Sequence, residues 1–269
     1  MKKTFFFVLF LYPVINCYCQ TSEQYFKNGT SKAAQQDYLG AIADYNQAIE
    51  LNPKFTDAFV NRGCAKANLQ DYRGAKSDFN DAIELNPKDA LAYNFRGRAK
   101  AALQDYLGAI ADFNQAIELN PKDAKPYYDR GTVKAGLQDF RGAIADYNLA
   151  IELNPNYAAA YNNRGLAKDD LQDYLGAIAD LNQSIALNPN DAEGYNNRAN
   201  AKYDLQDFRG AIEDFNQAIV LNHNYAAAYN NRGSAKYHIG DKDGACLDWS
   251  KAGELGNAKA YDLIKKLCQ

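Results

Sequence analysis

A unit of 34 residues recurs along the 269-residue chain. The leucine that opens its Leu-Asn tail returns at that interval, at Leu51, Leu85, Leu119, Leu153, Leu187 and Leu221. A period between about 20 and 50 residues is typical of supersecondary units that stack on one another and bury a core only between neighbours. Such stacks present elongated surfaces. We therefore expect function to lie on a surface and not in an enclosed catalytic pocket.

The unit that covers residues 158–191 shows how one repeat is built. Apolar residues follow helical spacing from Tyr161 to Leu171, the turn around Asp173 interrupts them, and they resume from Ala177 until Pro189. This pattern predicts two amphipathic helices joined by a tight turn. The proline cannot continue a helix, so it separates one unit from the next.

A glycine recurs inside the first predicted helix of six units. Glycine costs up to about 1 kcal/mol relative to alanine inside a helix, so its repetition needs a packing reason, namely a close approach of the second helix. In the sixth unit the next smallest residue, Ala199, replaces it. The glycines are Gly29, Gly63, Gly97, Gly131, Gly165 and Gly233.

The recurring pattern of aromatic, small and proline residues resembles the tetratricopeptide repeat family. The fourth unit carries that pattern at Tyr127, Gly131, Ala143, Tyr147, Ala150 and Pro155. The seventh copy departs from it, with Asn257 in place of the proline. The resemblance implies an all-α fold, a right-handed superhelix of seven helix-turn-helix repeats closed by a C-terminal capping helix.

The same phase predicts the organisation of the chain. The repeat array covers residues 22–257, and residues 258–269 form the capping helix. The single units are 22–55, 56–89, 90–123, 124–157, 158–191, 192–225 and 226–259.

Residues 1–19 differ from the repeats and are typical of a secretory signal peptide. Lys2 and Lys3 precede an apolar run that is shorter than the roughly 20 residues of a spanning helix, and small residues follow it, with cleavage expected after Cys19. An uncleaved anchor and a lipoprotein acylated at Cys17 remain alternatives. We expect a bacterial exported protein, whether periplasmic, outer-membrane-associated or secreted.

Export permits a disulfide, and Cys246 and Cys268 at the C-terminal end are its candidates.

An arginine directly before the recurring glycine is followed, sixteen residues later, by an aspartate. Folding each hairpin about its turn places the two opposite each other, which predicts an interhelical ion pair. A row of ligand-binding arginines is the alternative. The arginines are Arg62, Arg96, Arg130, Arg164, Arg198 and Arg232, and the aspartates are Asp78, Asp112, Asp146, Asp180, Asp214 and Asp248.

The family resemblance implies that the first helices line a concave wall, and in this sequence their predicted exposed stripe is rich in asparagine. Asparagine is a mediocre helix former, and its amide both donates to and accepts from a peptide backbone. We therefore predict an extended peptide bound along this stripe, with aromatic contact from a tyrosine; asparagines copied by duplication without a role are the alternative. The predicted residues are Asn61, Asn94, Tyr128, Asn162, Asn163, Asn196, Asn197, Asn230 and Asn231.

Charge and composition exclude several other classes of function. The formal net charge is −3 and no basic stripe occurs, so nucleic acid is not an expected partner. His223 and His238 have no ligand partner at helical spacing, and no phosphate-binding loop or nucleophile motif occurs. We expect no enzyme, cofactor, metal, small-molecule substrate or membrane segment after signal cleavage. The prediction is a protein-interaction scaffold that binds a peptide or partner protein; the alternative is a structural or surface-display solenoid of the cell envelope.

Overall fold

The computed structural model describes residues 20–268, so the predicted signal peptide lies outside the described part. Fifteen α-helices and no strands are found within those residues, which confirms the all-α repeat architecture. The helices are α1 (Ser22–Ala34), α2 (Tyr38–Leu51), α3 (Thr56–Asn68), α4 (Tyr72–Leu85), α5 (Ala90–Ala102), α6 (Tyr106–Leu119), α7 (Ala124–Gly136), α8 (Phe140–Leu153), α9 (Ala158–Asp170), α10 (Tyr174–Leu187), α11 (Ala192–Asp204), α12 (Phe208–Leu221), α13 (Ala226–His238), α14 (Lys242–Glu254) and α15 (Ala258–Leu267).

The chain divides into two compact units, Met1–Asn86 and Pro87–Gln269. The first contains the hairpins α1–α2 and α3–α4, and the second contains five further hairpins and α15. Within each unit every helix packs on the next one in the chain. In the second unit the first helices of successive hairpins, α5, α7, α9, α11 and α13, also contact each other. They form one continuous row, which we call the inner row.

The turn inside each hairpin is built by the same local signals. In the fifth repeat α9 ends at Asp170, Leu171 is its C-cap, and Gln172 takes a left-handed conformation with φ 64°. Asp173 then caps α10, because its Oδ1 accepts the backbone N–H of Gly176 at 3.0 Å. The turn aspartate is therefore a helix cap and not only a solvated side chain.

The interior of each hairpin depends on the recurring small residues, as predicted. A Cβ added to Gly131 would lie 2.8 Å from Cε1 of Tyr147, so only glycine fits without a shift. Ala143 and Ala150 on α8 have no exposed surface, and Tyr147 between them is buried. The close approach of the two helices is the packing reason for the glycine.

The C-terminal end of the stack has its own core. Trp249 on α14 is buried, and its indole N–H donates to the backbone carbonyl of Asn230 at 3.1 Å. A disulfide joins Cys246 on α14 to Cys268 directly after α15, with the two Cα atoms 5.9 Å apart. Among the described residues, none of the helices has the length and apolar character needed to cross a membrane.

Candidate functional site

The recurring arginine and aspartate form a charge cluster in the six hairpins from the second to the seventh. In the fifth repeat Asp180 accepts from Nε of Arg164 at 2.8 Å and pairs with Nζ of Lys168 at 2.7 Å. The same guanidinium donates to Oδ1 of Asn148 at 2.6 Å, and its Cζ lies 5.4 Å from the ring centroid of Tyr161. The lysine four residues after the arginine is thus a second partner of the aspartate.

This cluster recurs in the six repeats from the second to the seventh. Every aspartate is almost fully buried and is bonded by two cations, so the cluster has a complete set of partners within the chain. The interhelical ion pair predicted from the sequence is confirmed. Its arginines are committed to the fold and offer no row of ligand-binding groups.

The predicted asparagine stripe lies on the first helices, and most of its amides bond to the neighbouring repeat. Asn163 donates to the hydroxyl of Tyr128 at 3.0 Å, and Asn197 donates to Oδ1 of Asn162 at 3.1 Å. Asn231 donates to Oδ1 of Asn200 at 3.0 Å. These bonds connect α7 to α9, α9 to α11 and α11 to α13.

Of the remaining donors in the stripe, one bonds to the next repeat and three bond within their own helices. Asn94 donates to Oδ2 of Asp129 on α7 at 3.2 Å. Asn230 donates to its neighbour Asn231, and Asn162 donates to Asn163. Asn61 on α3 donates to the backbone carbonyl of Asp57, one turn earlier in the same helix.

The expectation of an exposed stripe is wrong for three of these residues. Asn94, Asn196 and Asn197 are only 2%, 5% and 9% exposed, because adjacent first helices approach closely enough to cover them. The carbonyl oxygens of Asn94, Asn196 and Asn230 are buried and accept no hydrogen bond within residues 20–268. The other six predicted residues are partly exposed. The stripe is thus a layer of contacts between repeats with an accessible rim.

Tyr128 also has packing partners. Its ring centroid lies 4.8 Å from that of Tyr157 and 5.9 Å from that of Tyr147. Burial raises the pKa of its hydroxyl above the ordinary value, and this hydroxyl accepts from Asn163.

The inner row carries a cavity of about 370 Å³ where α9, α11 and α13 meet. Side chains from all three helices line it, and all of them are polar or aromatic. They are Asp169, Asn200, Tyr203, Asp204, Asn231 and Ser234. Asn231 is the member of the predicted stripe that this cavity includes.

Asp169 differs from the other residues of the cavity in that it is a partly buried carboxylate with a raised pKa. Its Oδ1 is buried and has no hydrogen-bond partner among residues 20–268. Burial raises the pKa of this carboxyl to about 6, and the nearby charges of Asp204 and Asp170 add to the effect. Burial also raises the pKa of Asp204. No cation of the described chain is ion-paired with either carboxylate.

Sequence reasoning missed these carboxylates, although a signal for them was present. The position of Asp169 holds alanine in the four preceding repeats, at Ala33, Ala67, Ala101 and Ala135. Asn200 likewise stands at a position that differs from repeat to repeat. In a chain of nearly identical copies, the positions that differ are those that simple duplication does not explain.

Other candidate chemistry is absent from the described residues. No group of three His, Cys, Asp or Glu side chains between residues 20 and 268 is close enough to hold a metal ion. His238 stacks on Phe208 with the ring centroids 4.5 Å apart.

Comparison with protein families gives matches along most of residues 29–240. A family described as TPR repeat matches residues 29–70, 136–168 and 199–240. Two families described as tetratricopeptide repeat match residues 60–124 and 158–191. A comparison with curated protein sequences gives no match.

Solved structures with the same fold include a tetratricopeptide repeat protein from Parabacteroides merdae. It is 21% identical with a TM-score of 0.68, over 92% of this chain and 99% of that one. PilF of Pseudomonas aeruginosa is 16% identical with a TM-score of 0.70, over 78% and 96% of the two chains. YrrB, described as a TPR protein with an unusual peptide-binding site, is 21% identical with a TM-score of 0.56, over 68% and 95%. At these identities the likeness concerns the fold.

Proposed function

Because this chain belongs to the tetratricopeptide repeat family, we propose that it is a non-enzymatic protein-interaction scaffold that binds an extended peptide of a partner protein. The proposed binding surface is the inner row of the second unit. The observation that carries the proposal is the cavity on that row, which includes Asn231 of the predicted stripe. YrrB, a TPR protein with an unusual peptide-binding site, is a precedent within the fold.

The volume of the cavity lies within the range of small-molecule sites, but its polar lining favours part of a peptide over a whole small molecule. Small-molecule sites have volumes of roughly 300 to 1,000 Å³ and are lined mostly by apolar groups. This cavity has about 370 Å³ and a polar lining, which suits one side chain of a longer ligand. The rest of the ligand would lie along the partly exposed rim formed by Tyr128, Asn162 and Asn163.

The stripe then has two roles. Buried members such as Asn197 hold adjacent helices together and fix the orientation of their neighbours. Partly exposed members such as Asn163 and Asn231 present the amide edges that a peptide backbone can bond. We assign ligand contact to the second group.

Site-specific photo-crosslinking tests this surface. Benzoylphenylalanine would replace Thr132, an exposed residue of α7 in the same repeat position as Asn200 and Ser234. The matched control carries it at Leu175 on α10, which is 70% exposed. With a pool of biotinylated, randomised ten-residue peptides as probe, we expect adducts at position 132 and none above background at position 175.

Adducts only at the control position would contradict peptide binding on the inner row. They would favour the alternative, a structural or surface-display solenoid that contacts other components through its second helices. A complete absence of adducts would contradict the proposed function as well.

We further propose that the protein is exported by a bacterial cell. The supports are the sequence of residues 1–19, which lies outside the described structure, and the bond between Cys246 and Cys268. Expression of the full chain in a bacterium should yield a soluble exported form that begins at Gln20 by N-terminal sequencing. A membrane-bound form with a lipid on Cys17 would identify a lipoprotein, and an intact N-terminus would identify an anchor.

A further inference from the structure

Asp169 and Asp204 are two carboxylates on adjacent first helices that the chain leaves without a cation. Lys168 directly precedes Asp169 on α9 but does not pair with it. Its Nζ lies instead 2.7 Å from Oδ2 of Asp180 on α10. The buried aspartates of the hairpins each have an arginine and a lysine, whereas Asp169 and Asp204 are in no ion pair among residues 20–268. The charge of Asp169 is held partly out of water and lies near that of the more exposed Asp204, which is unfavourable until a cation approaches.

The other walls of the cavity suit an elongated cationic group. Asn200, Asn231 and Ser234 bring amide and hydroxyl groups, whose oxygens can accept from a charged donor. Tyr203 brings an aromatic ring against which methylene groups or a cation can pack. Asn231 already donates to Oδ1 of Asn200 at 3.0 Å, which fixes the orientation of both amides before any ligand arrives.

We propose that this cavity binds the lysine or arginine side chain of the extended peptide and so gives the scaffold a preference for basic segments. This inference rests on the proposed function, since the same inner row holds the peptide backbone. Asp169 and Asp204 face the cationic head, and Tyr203 flanks its stem. A peptide side chain fits better than a metal ion, because the described residues bring no third carboxylate, histidine or thiolate to the cavity.

The photo-crosslinking pool provides the test, now with sequencing of the captured peptides. The protein with benzoylphenylalanine at Thr132 would be compared with the same protein carrying Asp169→Asn and Asp204→Asn. The unaltered cavity should enrich lysine and arginine at one peptide position, and the double variant should return their frequency to that of the input pool. Glu152→Gln, on the exposed surface of α8, removes a carboxylate elsewhere and should keep the enrichment.

A binding measurement quantifies the contact. The most enriched peptide and its lysine-to-norleucine analogue would be titrated by fluorescence anisotropy at fixed ionic strength. The exchange should weaken binding to the unaltered cavity about tenfold, the size expected of a partly desolvated charge pair, and should change binding to the double variant by less than about twofold.

The outcomes separate the two proposals. Peptides captured without basic enrichment, or with enrichment that survives the double variant, would overturn the cationic pocket and leave peptide binding in place. No capture at all would overturn both. A calorimetric titration with calcium chloride alone gives a further check, because a binding heat that Asp169→Asn abolishes would make the cavity a metal site and contradict the peptide side chain.

Discussion

Two aspartates of the fifth repeat, Asp180 and Asp169, show how differently the same residue type is used inside a hairpin and on the inner row. Asp180 is buried against Arg164 and Lys168, which bond both of its oxygens. Asp169 is half-buried, has an oxygen without a hydrogen-bond partner in the described chain and has a pKa raised to about 6. Aspartate occupies the position of Asp180 in all seven repeats, whereas Asp169 stands where the four preceding repeats have alanine.

The difference teaches which residues of a repeat protein carry recognition. A residue that recurs in every copy and has all its partners inside the chain is explained by packing. A charged residue that occurs in one copy, faces an open cavity and has no partner costs stability, which is common at binding sites. The inner row, and not the hairpin interior, is therefore where we propose that this scaffold acquires specificity.

The largest expected effect comes from breaking a hairpin cluster. Asp180→Ala should destabilise the protein by about 3 kcal/mol, because it leaves the charges of Arg164 and Lys168 half-buried without their acceptor. Urea unfolding followed by circular dichroism measures this. Asp44→Ala is the matched control, because Asp44 pairs with Lys32 and Asn28 stands where the other repeats have arginine. An equal loss in both variants would contradict the role of the paired cations.

The next effect tests the recurring glycine. Gly131→Ala should cost about 1–2 kcal/mol, because the clash with the Tyr147 ring exceeds the gain in helix propensity. Thermal and urea unfolding measure the change. Gly136 ends the same helix and has no atom within 4 Å of an added Cβ, so Gly136→Ala should be neutral or stabilising. A loss at both positions would indicate a general helix effect and not a close approach.

Removing the charge of Asp169 on the inner row should increase stability, whereas the two preceding substitutions decrease it. Asp169→Asn should stabilise the protein at pH 7 by on the order of 1 kcal/mol after screening by solvent, because it removes an unpaired, partly buried charge.

The pH dependence of this gain follows from the raised pKa of Asp169. The penalty of the charged group is complete above the folded pKa of about 6, decreases as the pH falls towards the ordinary aspartate pKa of 3.8, and is absent below it. The free energies of unfolding of the unaltered protein and of Asp169→Asn should therefore converge between pH 7 and pH 4. A carboxyl ¹³C NMR titration of Asp169 should give its pKa directly. A constant difference across this range would contradict the raised pKa.

The smallest effect shows that repetition alone does not mean an optimal residue. Gln172 and five equivalent glutamines adopt a positive φ near 63°, and Gly240 takes their place in the seventh repeat. Gln172→Gly should stabilise by about 0.5–1 kcal/mol, because glycine relieves the strain of the left-handed region while it increases the entropy of the unfolded chain. Denaturant unfolding measures the change, and a destabilisation would show that the glutamine side chain has a role in the turn.

The fold was predictable because its signals are local and repeated. The spacing of apolar residues, the turn aspartate and the proline determine two helices per unit, and the period of 34 residues determines their stacking. The pairing of Arg164 with Asp180 also followed from the sequence, since folding about one short turn fixes which residues face each other.

The site was only partly predictable, because it depends on contacts between repeats. The sequence placed the asparagines on one stripe, but the distance between adjacent first helices decided that Asn94, Asn196 and Asn197 are covered while Asn231 borders a cavity.

By itself the sequence determined an all-α array of helical hairpins and the arginine–aspartate pair inside six of the seven, because short-range periodicity and a two-helix hairpin leave little freedom. Only the tertiary structure decided that Asp169, Tyr203 and Asn231 meet around one cavity, since they lie on three different helices. Its packing also left Asp169 partly buried and without a cation, and an unpaired charge results from the arrangement of neighbours, which no spacing along the chain specifies.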